Sequence, residues 1–201
     1  MRNIVKDHNL KDEFIAFRKQ CIWFRCCYNT YHTLFESGQY TTRLLENAAV
    51  LFFADLNIIF IEYCWLQICK LTDPASSQGR DNLTIKYFHK KLADLGLMTP
   101  AINESAKAIF AYRELLKTGR NRLVSHLDKE TVLLGNDVGV HRAEDVEAFL
   151  LQLQIYVDLV AGAVGDGPCD FSSTAGEGDV TDLLLILKQA LHPFIDSERL
   201  E

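Results

Sequence analysis

Between residues 9 and 37 the apolar positions advance in alternating three- and four-residue steps: Phe14, Phe17, Cys21, Phe24, Tyr28, Tyr31 and Phe35. That spacing puts all of them on one stripe of a single long helix, from about Asn9 to Ser37. Aromatic stripes of this kind form core far more often than binding platforms. Ser37-Gly38 supplies the stop. A second long helix is predicted from about Thr41 to Leu71. Leu45, Ala49, Phe52, Leu56, Ile59, Tyr63 and Leu66 make one fully apolar seam along it. The adjoining stripe of Leu44, Ala48, Leu51, Asp55, Ile58, Glu62, Trp65 and Cys69 carries two carboxylates seven residues apart. A carboxylate drawn into an apolar face needs a partner.

The run from Thr72 to Asn82 is polar, contains Pro74 and Gly79, and reads as a loop. A shorter helix follows from about Leu83 to Leu95, with Gly96 as its end signal. Helical spacing returns after Pro100, where Ile109, Arg113, Leu116, Arg120, Leu123 and Leu127 step by four and three. If the helix continues through Gly119, Arg113 and Arg120 sit on a seam, where an arginine requires a carboxylate, a phosphate or a subunit interface. They are seven apart, as are Asp55 and Glu62, so antiparallel packing can match the two pairs. Thr131 to Val140 reads as a loop or at most a small hairpin. Ala143 to Gly162 is an amphipathic helix with acids in its first turn. Gly165 to Asp179 is Gly/Ser-rich and reads as flexible, and Val180 to Phe194 as a last short helix. These elements predict an all-α bundle of two long antiparallel helices plus shorter ones, with a domain over residues 9–165 and a linker and terminal helix over 166–201.

Composition narrows the class. A hydrophobic content of 48% with 24% charged residues is ordinary for a soluble globule. The formal charge of −6 argues against general coating of nucleic acid, which is driven by phosphate neutralisation. The charge is uneven. Lys107, Arg113, Lys117, Arg120 and Arg122, against Glu114 alone, make a local +4 between residues 107 and 122. A basic island on an acidic body suits a localised anion site, and equally a solvated helix face. The six cysteines lack secretory or zinc-ligand spacing, so reduced thiols in a cytoplasmic protein and no metal site are expected. Asp55, Asn57 and Glu62 interrupt the apolar run from Ala48 to Cys69, which favours a core helix over a membrane span.

The candidate chemistry lies in Arg120-Asn121-Arg122-Leu123-Val124-Ser125-His126. An imidazole can move a proton near neutral pH. A guanidinium can hold a phosphate and the charge that grows on it during transfer. The spacing itself is weak, because Arg2 and His8, and Arg25 and His32, also satisfy it. Placement separates them: only Arg120 combines an adjacent amide, the basic island and an apolar seam. On an ideal helix Arg120 and His126 point about 120° apart. Convergence therefore needs a bend near Thr118-Gly119 or a second chain.

Two long helices, the Leu71-Thr72-Asp73-Pro74 turn, the Gly79-Arg80-Asp81-Asn82-Leu83 loop and Arg-Asn-x4-His-Leu-Asp together resemble the HEPN superfamily, and within it the abortive-infection U-type branch. The resemblance spans roughly Phe14 to Val160. It implies an all-helical fold that forms a homodimer, with two Arg–His motifs facing each other across a cleft. It also implies metal-independent, cofactor-free endoribonuclease activity in toxin–antitoxin or phage-defence settings. Carried over, Arg120 and His126 are the catalytic pair and Asn121 positions them or the phosphate. Arg113, Lys117 and Arg122 are candidate RNA contacts, and Asp55 and Glu62 supporting carboxylates. RNA is the expected substrate and a cognate antitoxin a candidate partner, with no membrane association. The competing expectation is a non-catalytic helical module that binds RNA or protein.

Overall fold

The computed structural model describes residues 9–119, 143–173 and 176–195. The order of elements among them is α1 (Leu10–Phe35), α2 (Gln39–Thr72), β1 (Ser76–Ser77), β2 (Arg80–Asp81), α3 (Ile85–Asp94), α4 (Pro100–Gly119), α5 (Ala143–Ala163) and α6 (Val180–Ile195). The all-α reading holds, with one small addition. Inside the polar loop after α2, Ser76 pairs with Asp81 and Ser77 with Arg80 as an antiparallel hairpin. Gln78 and Gly79 turn it, both at positive φ, as a tight two-residue turn requires.

The chain divides into two compact units. One comprises Met1–Trp23 and Trp65–Phe171, the other Phe24–Cys64 and Ser172–Glu201. The first holds most of the buried apolar side chains. Phe14, Phe17 and Cys21 of α1 are fully buried there, as the heptad stripe predicts. Phe88 of α3 meets Phe17 at 5.0 Å and Phe14 edge-on at 5.9 Å. Helix α3 is closed at both ends by local chemistry. Thr84 caps its start by accepting from the Tyr87 amide, and Gly96, at φ 70°, lets the Leu97 amide return to the Leu92 carbonyl. Helices α4 and α5 pack antiparallel. The Ser105 hydroxyl donates to the Gln152 carbonyl, and the Tyr112 ring lies 4.8 Å from Phe149. The Tyr156 hydroxyl, fully buried on α5, donates to the Ile85 carbonyl.

Residues 166–171, the first part of the expected linker, make hydrogen bonds and ion pairs within this unit. Gly165, at φ 73°, closes α5 by sending the Asp166 amide back to Ala161. Asp158 accepts from the Cys169 amide, Gln154 accepts from Phe171, and the Phe171 side chain is buried. Asp166 sits between Arg18 at 2.7 Å and Lys11 at 3.4 Å. Desolvation works to raise the Asp166 pKa. The Lys11 hydrogen bond, the charges of Arg18 and Lys11 and the Gly167 amide outweigh it, and the net shift is downward. A carboxylate depressed in the folded state stabilises above its unfolded pKa and loses that contribution as pH falls through the folded value. Asp166→Asn should therefore be less stable than the parent at pH 6. The gap should close as denaturation is repeated below about pH 3.8, the unfolded reference. A gap independent of pH would assign the effect to packing.

In the second unit α1 and α2 run antiparallel, with Phe35 beside Phe60 at 6.5 Å. Leu34, Leu45 and Phe53 form a small core to which α6 adds Val180, Leu184 and Leu187. The terminal helix thus has a packing role. All six cysteines are free thiols. Burial, with Cys27 adding to it, pushes the Cys64 thiol up to about 12, so it stays protonated at neutral pH.

Helix α2 departs most from expectation. Its backbone leaves helical geometry at Ala49 (φ −167°, ψ 77°), with no proline or glycine there to announce it. The predicted seam is buried only at its start, at Leu45. Beyond it Ala49, Phe52, Ile59 and Leu66 are exposed, whereas Phe53, Cys64 and Ile68 are buried. Gln39–Thr72 and Glu144–Ala163 are both long and apolar enough to cross a membrane by length and composition. Glu144–Ala163 is explained as a core helix that buries Phe149, Leu153, Tyr156 and Val160. In the most apolar stretch of α2 only 17% is buried.

Candidate functional site

Helix α4 leads into the Arg–His string. Pro100 opens it after Thr99, whose hydroxyl accepts from the Ile102 amide. Ile102, Ala106, Ile109 and Leu116 face inward, and Arg113 lies on the same side, as the seam spacing requires. Its guanidinium donates to the Thr72 carbonyl at 2.9 Å and to Asp73 Oδ1 at 2.9 Å. The local sequence makes this arrangement favourable. Thr72 ends α2, so its carbonyl has no helical donor and carries the negative end of the helix dipole. The next residue adds a carboxylate. Asn82 closes the same turn by donating to the Pro74 carbonyl at 3.1 Å. The two loops of the HEPN-like pattern are therefore one structure: a turn and hairpin clamped to α4 by Arg113.

Arg113 pairs with Asp73, forty residues upstream. The expected match of Arg113 and Arg120 to Asp55 and Glu62 involves Arg120, which lies outside the described residues. Asp55 and Glu62 are both exposed on α2, so neither needs a buried cation. Arg113 itself, expected as an RNA contact, is engaged within the fold and largely shielded, its side chain 18% exposed. Arg113→Ala removes two charge-assisted hydrogen bonds and leaves a helix-end carbonyl and Asp73 unmatched. Because Asp73 retains solvent contact, a loss of about 1–3 kcal/mol is expected in urea denaturation. A loss no larger than that of a neighbouring exposed alanine substitution would remove the clamp.

Lys117 lies in α4, four residues beyond Arg113 and about 40° around an ideal helix from it. Arg120, Asn121, Arg122 and His126 lie outside the described residues, as does the Thr131 to Val140 segment. What the structure fixes is their frame. Helix α4 ends at Gly119, one residue before Arg120, and the antiparallel α5 begins at Ala143.

The second Arg–His spacing is fully described and reads differently. Arg25 Nε donates to Asn29 Oδ1 at 2.9 Å, and its guanidinium lies over the Tyr28 ring at 5.9 Å. His32 also faces Tyr28. Arg25 is thus occupied along its own helix. His89 carried no signal in the sequence. Its ring stacks on Tyr156, Nε2 lies 3.3 Å from Asn103 Oδ1, and Nδ1 is buried without a partner among the described residues. Only the packing of α3, α4 and α5 brings these three side chains together.

Comparison with curated proteins and with solved structures gives no match. A family model does match, over residues 7–183, reaching past α5 into the start of α6 and so beyond the span of the sequence resemblance. That model is HEPN_AbiU2, described as AbiU2. The clamp at the Leu71–Pro74 turn and the Arg-Asn-x4-His string after α4 both fall within the match. With an all-helical fold and a match over most of its length, this chain belongs to the HEPN AbiU2 family.

Proposed function

We propose that this protein is a metal-independent endoribonuclease of an abortive-infection or toxin–antitoxin system, acting as a homodimer on cytoplasmic RNA. The observation that carries the reading is Arg120-Asn121-x4-His126 in a chain of the HEPN AbiU2 family. His126 takes the proton from a ribose 2′-hydroxyl, or gives one to the leaving 5′-oxygen, in an in-line attack on the adjacent phosphate. Arg120 neutralises the charge that develops on the phosphorus oxygens, and Asn121 holds a non-bridging oxygen or orients the pair. Lys117 and Arg122 add positive charge beside them for the RNA backbone. The angular divergence of Arg120 and His126 on a straight helix supports a site completed by a second copy.

The reaction needs a 2′-hydroxyl, and this makes the reading testable. Purified protein in EDTA should cut RNA to fragments ending in 2′,3′-cyclic phosphate and leave DNA of the same sequence intact. Its mass in solution should be twice that of one chain. Cleavage of DNA, or activity that disappears with EDTA and returns with a divalent metal, would sink the mechanism. The second reading, a non-catalytic interaction module, is favoured by the bare apolar length of α2. Growth on induced expression separates the two. A ribonuclease inhibits growth and Arg120→Ala relieves it, whereas a module affects growth equally with or without Arg120.

A further inference from the structure

The face of α2 opposite the small core is apolar but divided by acid. Leu51 is 77% exposed, Phe52 61%, Ile58 57% and Ile59 58%. Asp55 and Glu62 are exposed among them, with no partner for either among the described residues. Beyond the break at Ala49 the helix runs on, so ideal geometry places the side chains. Glu62 lies about 20° from Asp55 around the axis. Leu51 and Ile58 lie about 40° and 60° to one side of Asp55, and Ile59 and Phe52 about 40° and 60° to the other. The carboxylates form a central acidic line with an apolar rail on each side. Phe53, Phe60 and Cys64 occupy the opposite, inward side.

The four apolar side chains expose on the order of 400 Å², the size of the largest patch on a typical monomer. Water is a poor neighbour for the rails. Lipid is a poor neighbour for the carboxylates, which stand at the centre of the face rather than at its ends. A second copy of α2 laid antiparallel about the middle of this stretch sets Asp55 against Glu62 of its mate, and a parallel copy sets acid on the same acid. Like charges on a shared apolar face select against both. The complementary surface is a helix with apolar flanks and cations at matching intervals. Two basic residues seven apart on such a helix are separated by about 10 Å along its axis, the same rise as from Asp55 to Glu62.

We infer that this face of α2 docks an amphipathic helix of a partner protein carrying two Lys or Arg residues seven apart, seated on Asp55 and Glu62 between the Leu51/Ile58 and Phe52/Ile59 rails. The proposal goes beyond the ribonuclease reading and does not depend on it, because its test measures binding without RNA. The probe is a synthetic helical peptide with leucine flanks and lysines seven apart, compared by fluorescence anisotropy with the same peptide carrying glutamates there. The full chain should bind the lysine peptide at least tenfold more tightly. The double variant Asp55→Lys, Glu62→Lys should reverse that preference. Ile58→Ser with Ile59→Ser should weaken the lysine peptide tenfold or more while leaving the helical circular dichroism intact. Should those serine substitutions disturb folding, the charge reversal alone decides, since both carboxylates are exposed. Any of three results overturns the proposal: equal or absent binding of the two peptides, tight uptake of the full chain by phosphatidylcholine vesicles, or a dimeric mass that falls to monomeric with Ile58→Arg.

Discussion

His126→Ala is expected to slow RNA cleavage by about 10²–10⁴-fold, the range a positioned general acid–base contributes. Arg120→Ala should lose about 10²–10³-fold, as when a preorganised charge partner of the transition state is removed. The two differ in how they fail. Without the imidazole, the rate loses its dependence on a group titrating near neutrality. Without the guanidinium, that dependence remains and the maximum falls. Arg120→Lys keeps the charge but not the planar fork, so it should recover only part of the rate. The double variant should be scarcely slower than the worse single one, because residues acting as a unit are strongly non-additive. Rates are to be measured at saturating RNA in EDTA over a pH series. Unimpaired cleavage by either single variant would remove that residue from the mechanism.

The largest expected effect on stability belongs to Phe88→Ala. Phe88 is 0% exposed and its ring meets Phe14, Phe17 and Tyr87, at 5.9, 5.0 and 5.3 Å. Truncation removes the transfer free energy of the ring and leaves a cavity walled by other rings that cannot all collapse into it. The cost is about 3–5 kcal/mol, or a melting temperature lower by roughly 6–20 °C for a chain of this size. Phe88→Leu keeps most of the volume and should cost less than about half as much. Chemical denaturation followed by circular dichroism measures both. A loss below about 1 kcal/mol for alanine would mean that α1 and α3 are not joined by this aromatic cluster.

The sequence was legible where local rules act alone. The three–four stepping of Phe14, Phe17 and Cys21 located the buried stripe of α1, and Gly96 marked the end of α3. It was misleading where a helix is apolar all round. In α2, Phe52 and Phe53 are equally hydrophobic, and periodicity cannot say which of two stripes faces inward; the structure exposes Phe52 and buries Phe53. It was silent where the partner is distant. Nothing near Arg113 names Asp73, and nothing between Gly165 and Phe171 announces that Lys11, Arg18, Gln154 and Asp158 will hold it. The turn at Leu71–Pro74 and the loop at Gly79–Leu83 were readable, whereas the clamp joining them to α4 was not, and the Arg-Asn-x4-His string lies outside the described residues. That clamp is tertiary, and the residue types that build it were equally compatible with contacting RNA.

The core of the second unit joins Leu34, Leu45 and Phe53 to Val180, Leu184 and Leu187, residues more than a hundred positions later. During synthesis the first three emerge long before the last three exist. At the usual 5–20 residues per second, roughly ten seconds separate the exit of α2 from that of α6. Throughout that interval the nascent chain presents an incomplete core as well as the exposed rails of α2. Until α6 is made, the core of the second unit lacks Val180, Leu184 and Leu187. A ribosome stalled before Val180 holds a second unit whose small core is missing those three side chains.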